Sequence, residues 1–109
     1  MNKIFAIPSK GKTEKSLLDL RFGKCEYVAV YQVPSGKFSI FKNPFKDSEN
    51  SGIRLVELLK EKGVSTIITG EVGPNVSELL KKEKIQLVLL NKEKVRIDEI
   101  FERLKQSYS

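Results

Sequence analysis

Two short stretches of this sequence hold the residue types that could do chemistry. The first is Arg21-Phe22-Gly23-Lys24-Cys25, in which a single thiol follows two cations. Neighbouring positive charge favours thiolate over thiol, and a thiolate is both a nucleophile and a soft metal ligand. Cys25 is therefore the candidate metal ligand, with a small buried hydrophobe as the alternative reading. The second stretch is "ITGEVGPNVSELL", residues 68–80. Gly70 and Gly73 permit a tight turn and close approach of another group. Pro74 suits the first position of a helix, where no N–H is needed. The free N–H groups of Asn75, Val76 and Ser77 would then point outward at the positive end of that helix, an anion site needing no special side chain. The alternative there is a well-formed helix start and nothing more.

Composition narrows the chemistry further. The chain has 109 residues, one cysteine and no histidine. A disulfide framework and a Cys/His metal cluster are excluded, and so is every mechanism that uses an imidazole base. The formal charge of +6 favours an anionic partner such as a phosphate, a nucleic acid or an anionic metal cluster. No apolar run approaches the roughly 20 residues that cross a membrane, so the expectation is a cytoplasmic protein. Its length suits one domain, residues 1–109.

These candidates must be positioned by a frame, and the pattern supplies one. Residues 3–7, "KIFAI", read as a short strand closed by Pro8. Residues 9–24 form a basic loop with an apolar patch at Leu17, Leu18 and Leu20, and its five cations outnumber its two carboxylates. Residues 26–33 and 37–42 alternate around "PSG" and read as a β-hairpin. Asn43-Pro44 ends it. Asn50 or Ser51 can cap a helix that stops at Gly63. "VSTIIT" and "IQLVLL" are buried strands, "PNVSELLKKE" is a helix, and Ile97, Ile100, Phe101 and Leu104 mark a last helix. This order predicts an α/β fold with a mixed five-stranded sheet, a hairpin at one edge, a parallel remainder and three main helices.

Four segments together resemble one family: "AIPSKGK" at 6–12, "RFGKCEYVAVY" at 21–31, the long run from Asn43 to Val88 containing "NPF" and "TGEVGPN", and the closing helix. They are similar to the dinitrogenase iron–molybdenum cofactor biosynthesis family, which includes nitrogenase accessory proteins and small stand-alone members. The resemblance implies a ribonuclease H-like fold. It also implies non-enzymatic binding or carrying of an anionic iron–sulfur or iron–molybdenum cluster, exchanged with a donor or acceptor protein. Arg21, Cys25, Gly70, Gly73 and Asn75 fall on the segments that carry it. Members of the family commonly have His before the Phe-Gly pair, where this chain has Arg21. A His-ligated cluster is thereby excluded, which leaves electrostatic capture or Cys25.

Rival readings stay in view. Two-metal nuclease chemistry needs carboxylates converging on the sheet, and the strands carry almost none. No phosphate-binding loop or dinucleotide fingerprint occurs, so no enzyme is expected. A nucleic-acid binder would use the lysines with Tyr27, Tyr31, Phe38 or Phe41 as stacking surfaces. A plain interaction module, monomeric or weakly dimeric through the hairpin edge, is the third reading. Ser9 could face the ligand edge, and Glu71 would repel an anion if it pointed inward.

Overall fold

The computed structural model describes residues 2–92 and 94–108. Five strands are present: β1 (Lys3–Ser9), β2 (Tyr27–Val33), β3 (Phe38–Lys42), β4 (Thr66–Thr69) and β5 (Gln86–Leu89). Three helices join them: α1 (Ser51–Glu61), α2 (Pro74–Lys82) and α3 (Ile97–Ser107). The sheet order is β3-β2-β1-β4-β5. β1 pairs antiparallel with β2 and β2 with β3, while β1–β4 and β4–β5 are parallel. The expected mixed sheet with a hairpin edge is found.

Each face buries its own core because side chains alternate along a strand. On one face Ala6, Val28 and Ile67 meet Leu55, Val56 and Leu59 of α1 and Val76 and Leu80 of α2. On the other, Phe5, Ile7, Ala29 and Tyr31 meet Ile97, Ile100 and Phe101 of α3. The ring of Phe101 stacks on Tyr31 at 4.4 Å between centroids. The 9–24 segment is anchored to this second face. Leu18 is buried in it, and the carbonyls of Ser16 and Glu14 accept the amides of Ile97 and Asp98 at 2.8 Å each.

Two local expectations are corrected. Pro8 does not close β1, which runs on through Ser9 with Pro8 opposite Val28. The β4 partnership ends at Ala6, and the Pro8 carbonyl accepts Asp19 N–H at 2.9 Å on the side β4 has left. The missing imide hydrogen therefore costs no strand pairing. Neither Asn50 nor Ser51 caps α1 with its side chain: Asn50 takes the N-cap position in the left-handed region (φ 55°) and makes no such bond.

Candidate anion-binding cleft

Arg21 is placed by the residue before it. The Leu20 carbonyl accepts Glu71 N–H at 2.9 Å and the Thr69 hydroxyl at 3.4 Å, which runs the loop beside the end of β4. Arg21 and Glu71 form an isolated parallel bridge there. Asp19, almost fully buried, accepts the Arg21 backbone N–H at 3.0 Å and its Nε–H at 3.4 Å, leaving the guanidinium outward. The far end of the loop is held by Asn43. Its buried side-chain amide donates to the carbonyls of Gly23 and Cys25 at 3.0 Å each, and its Oδ1 accepts Phe45 N–H at 2.9 Å. The Asn-Pro pair after the hairpin thus does more than end a strand: it fixes the 23–25 backbone.

This loop, the start of α1 and the start of α2 enclose a cleft of about 460 Å³. Arg21, Lys24, Ser51, Gly52, Glu71 and Gly73 are among its walls. The two helix starts pack against each other. A Cβ on Gly52 would stand 2.6 Å from Val76 Cγ2, and one on Gly23 would stand 2.6 Å from Gly52 N. Neither helix has a side-chain cap. The first intrahelical acceptors, the carbonyls of Asn50 and Gly73, bond Arg54 and Ser77. The amides of the preceding turn of each helix consequently have no helical partner, and both positive dipole ends sit at one cleft.

Gly73 marks the open side. It takes an extended backbone (φ −72°, ψ 167°) open to any residue, and nothing lies within 4 Å of where its Cβ would be. Gly73 is the N-cap of α2, where glycine is well tolerated, and packing places no demand on it. Gly70 differs. A Cβ would meet Leu20 Cβ at 2.6 Å and Leu20 Cα at 2.8 Å. The close approach that Gly70 permits is therefore to Leu20, and Gly70 is not in the cleft wall. Asn75 is exposed at the start of α2 and is likewise outside the wall.

The charges around the cleft are mixed. The Arg21 side chain is 61% exposed, and Lys24 Nζ donates to the carbonyls of Lys46 and Ser48 at 3.3 and 3.4 Å. Glu71 is exposed, lines the cleft and makes no ion pair among the described residues. Ser9 turns inward, its hydroxyl donating to Gly11 O at 2.7 Å.

The thiolate expected at Cys25 is reversed. Cys25 is fully buried on the α1–α2 face of the sheet. Burial first, then the charge of Asp19, pushes its thiol up to about 12, and the Asn43 hydrogen bond and Arg21 offset this only in part. Three residues separate it from Arg21, yet one side chain points into the core and the other into solvent. Among the described residues no group of three or more His, Cys, Asp or Glu could hold a metal ion. The donor set fits a pre-assembled anion held by amides and cations, and does not fit a metal ligated by thiolates. Of the aromatic candidates, Tyr31 is buried on Phe101, and Phe38 leans on the same ring at 5.0 Å. Sequence reasoning missed Ser51, Gly52 and Asn43. The doublet Ser51-Gly52 at a helix start was the available signal for the first two, and Asn43 was marked only as the end of the hairpin and as part of the "NPF" motif that carries the family resemblance.

The model of the family described as dinitrogenase iron-molybdenum cofactor matches residues 1–107, and the chain belongs to that family. No curated protein matches it significantly. Among solved structures it is similar to the apo form of the orange protein from Desulfovibrio gigas, with 21% identity and a TM-score of 0.84 over 97% of this chain and 89% of that one. It is also similar to a Thermotoga protein provisionally described as NifB, of the DUF35 family. There the identity is 28% and the TM-score 0.79, over 97% of this chain and 90% of that one. No helix among the described residues is long and apolar enough to cross a membrane.

Proposed function

We propose that this protein is a non-enzymatic cytoplasmic carrier that binds an anionic iron–sulfur or iron–molybdenum cluster, or its precursor, in the cleft between the starts of α1 and α2. The observation that carries this reading is two uncapped helix N-termini facing one cleft beside Arg21, with Gly73 leaving the entrance open. Backbone amides at a helix start bind anions without specific side chains, and a guanidinium adds charge-assisted hydrogen bonds. Family membership supports the class of cargo. The cluster is cargo here, received from one protein and passed to another, and Cys25 takes no part in holding it. The ribonuclease H-like description belongs to the same reading, supported by the 3-2-1-4-5 strand order with β2 antiparallel to β1.

Anaerobic titration with a pre-formed iron–sulfur or iron–molybdenum cluster tests the proposal. Wild type and Cys25→Ala should bind alike, and Arg21→Ala should bind about tenfold more weakly, the loss of one charge-assisted contact. Equal binding by Arg21→Ala, or no binding by any of the three, would reject it. Loss confined to Cys25→Ala would restore direct ligation by sulfur.

A further inference from the structure

Among the described residues β5 pairs with β4 alone and forms an edge of the sheet. Gln86 and Leu90 donate their amides to the carbonyls of Ser65 and Thr69, at 2.9 Å each. By alternation the amides of Leu87 and Leu89 face away from β4. Edge strands are usually kept unpaired by charges, prolines or bulges, and Gln86-Leu87-Val88-Leu89 has no charge and no proline. Leu89 is 57% exposed.

Beside this edge α3 covers its face of the sheet incompletely. A groove of about 520 Å³ lies between α3 and the β4–β5 pair, with Ile68, Val88, Leu90, Val95, Ile100 and Leu104 in its walls. Lys92 and Arg103 stand exposed at its rim, and neither has an ion-pair partner among the described residues. The carboxylate of Glu99, also in the wall, is occupied by Arg96: it accepts the backbone N–H at 3.2 Å and lies 3.8 Å from Nε. An unguarded strand edge, an apolar groove and two unspent cations therefore coincide.

We propose that β5 accepts an extended segment of a partner protein as a sixth strand. The segment has apolar residues at every second position, whose side chains enter the groove, and acidic residues at the two ends of that same face, whose carboxylates meet Lys92 and Arg103 at the rim. Main-chain hydrogen bonds supply affinity in this mode, and alternate side chains supply selectivity. Charge complementarity favours an acidic partner over a second copy of this chain, which would set two like-charged rims together on molecules each carrying +6. The groove lies on the α3 face and the anion cleft on the α1–α2 face, so both can be filled at once.

The test uses the full chain, labelled with 15N, and a blocked peptide Asp-Thr-Val-Thr-Leu-Thr-Glu, whose two acids share a face with its valine and leucine. Its counterpart replaces the two acids by lysine. The acidic peptide should shift the amides of residues 86–90 and of Ile100 to Leu104 saturably, and the lysine peptide should bind at least about tenfold more weakly. Arg103→Glu should narrow or reverse that preference, and Leu89→Lys should weaken both peptides. Leu89 and Arg103 are exposed, so both variants should fold, as the unchanged remainder of each spectrum would show. Three outcomes overturn the proposal. They are no saturable shift with the acidic peptide, shifts centred on residues 21–24 and 51–53, or a dimer by sedimentation that Leu89→Lys dissociates.

Discussion

Gly70 and Gly73 stand three residues apart in one turn, and the fold needs them for opposite reasons. Gly70 belongs to a packed seam: with Gly23 and Gly52 it lets three backbone segments meet at distances no Cβ tolerates. Gly73 belongs to an open rim where a Cβ would touch nothing. Packing requires the glycines of the seam, whereas no contact within the fold requires the one at the rim, which stands at the N-cap of α2 and leaves the cleft entrance open. Similar sequence signals, glycines in a turn before a helix, thus separate into architecture and candidate function once the neighbours of each are known.

The contrast can be broken most sharply by stability. Gly70→Ala and Gly23→Ala should each cost about 1–3 kcal/mol through overpacking, and each kcal/mol should lower the thermal midpoint by roughly 4–8 °C. Circular dichroism melting of either variant at the wild-type temperature would dissolve the distinction. Asn43→Ala should follow at about 1–3 kcal/mol, because two carbonyls lose their shared donor. It should also weaken cluster binding, since the 23–25 backbone is no longer fixed. Stability lost with binding intact would make Asn43 a core residue and nothing more.

Cys25 sharpens the comparison from the packed side. Its thiol should resist alkylation at pH 8 in the native protein and react fully in denaturant, as mass spectrometry would show. Its folded value of about 12 exceeds the ordinary 9.0. The neutral thiol therefore contributes its full stability below about pH 9, and that contribution is lost as pH rises toward 12. Denaturation by urea across this range should show a steeper alkaline decline for wild type than for Cys25→Ala; parallel declines would contradict the burial argument. The smallest expected effect is at Asp98. Hydrogen bonding to Lys15 holds its carboxyl below the ordinary 3.8; desolvation opposes this, and the hydrogen bond to Arg96 adds a smaller lowering. Its contribution is present above that value and lost as pH falls through the lowered one. Asp98→Asn should consequently reduce stability slightly at pH 7, and the difference should shrink as the pH is lowered through the acid range.

Much of the frame was legible because it rests on periodicity. The hairpin announces itself by alternation, the two parallel strands by short buried apolar runs, and the apolar stripe of α3 by i, i+3, i+4 spacing. What stayed hidden depends on who faces whom across the sequence. Pro8 stands inside β1 because the pairing with β4 ends at Ala6 and the 9–24 segment takes over at Pro8, whose carbonyl accepts Asp19 N–H. Cys25 looked activated because Lys24 and Arg21 adjoin it in sequence, whereas the fold turns the thiol into the core and sets Asp19 near it. The start of α2 was readable from Gly-Pro-Asn. The start of α1 was read as an ordinary capped helix, although its Ser51-Gly52 end meets Val76 and completes the cleft. Convergence of two helix starts is a tertiary fact, and no local pattern encodes it.

The most direct test of that convergence is the pair of stability and anaerobic cluster-binding measurements on Gly73→Asp. Aspartate is a preferred N-cap and suits the backbone observed at Gly73, so the variant should be as stable as wild type or more so by a few tenths of a kcal/mol. The same carboxylate would occupy the open rim and repel an anion, so cluster affinity should fall by at least about tenfold. A stable Gly73→Asp protein that binds the cluster as tightly as wild type would show that no anion sits at the start of α2.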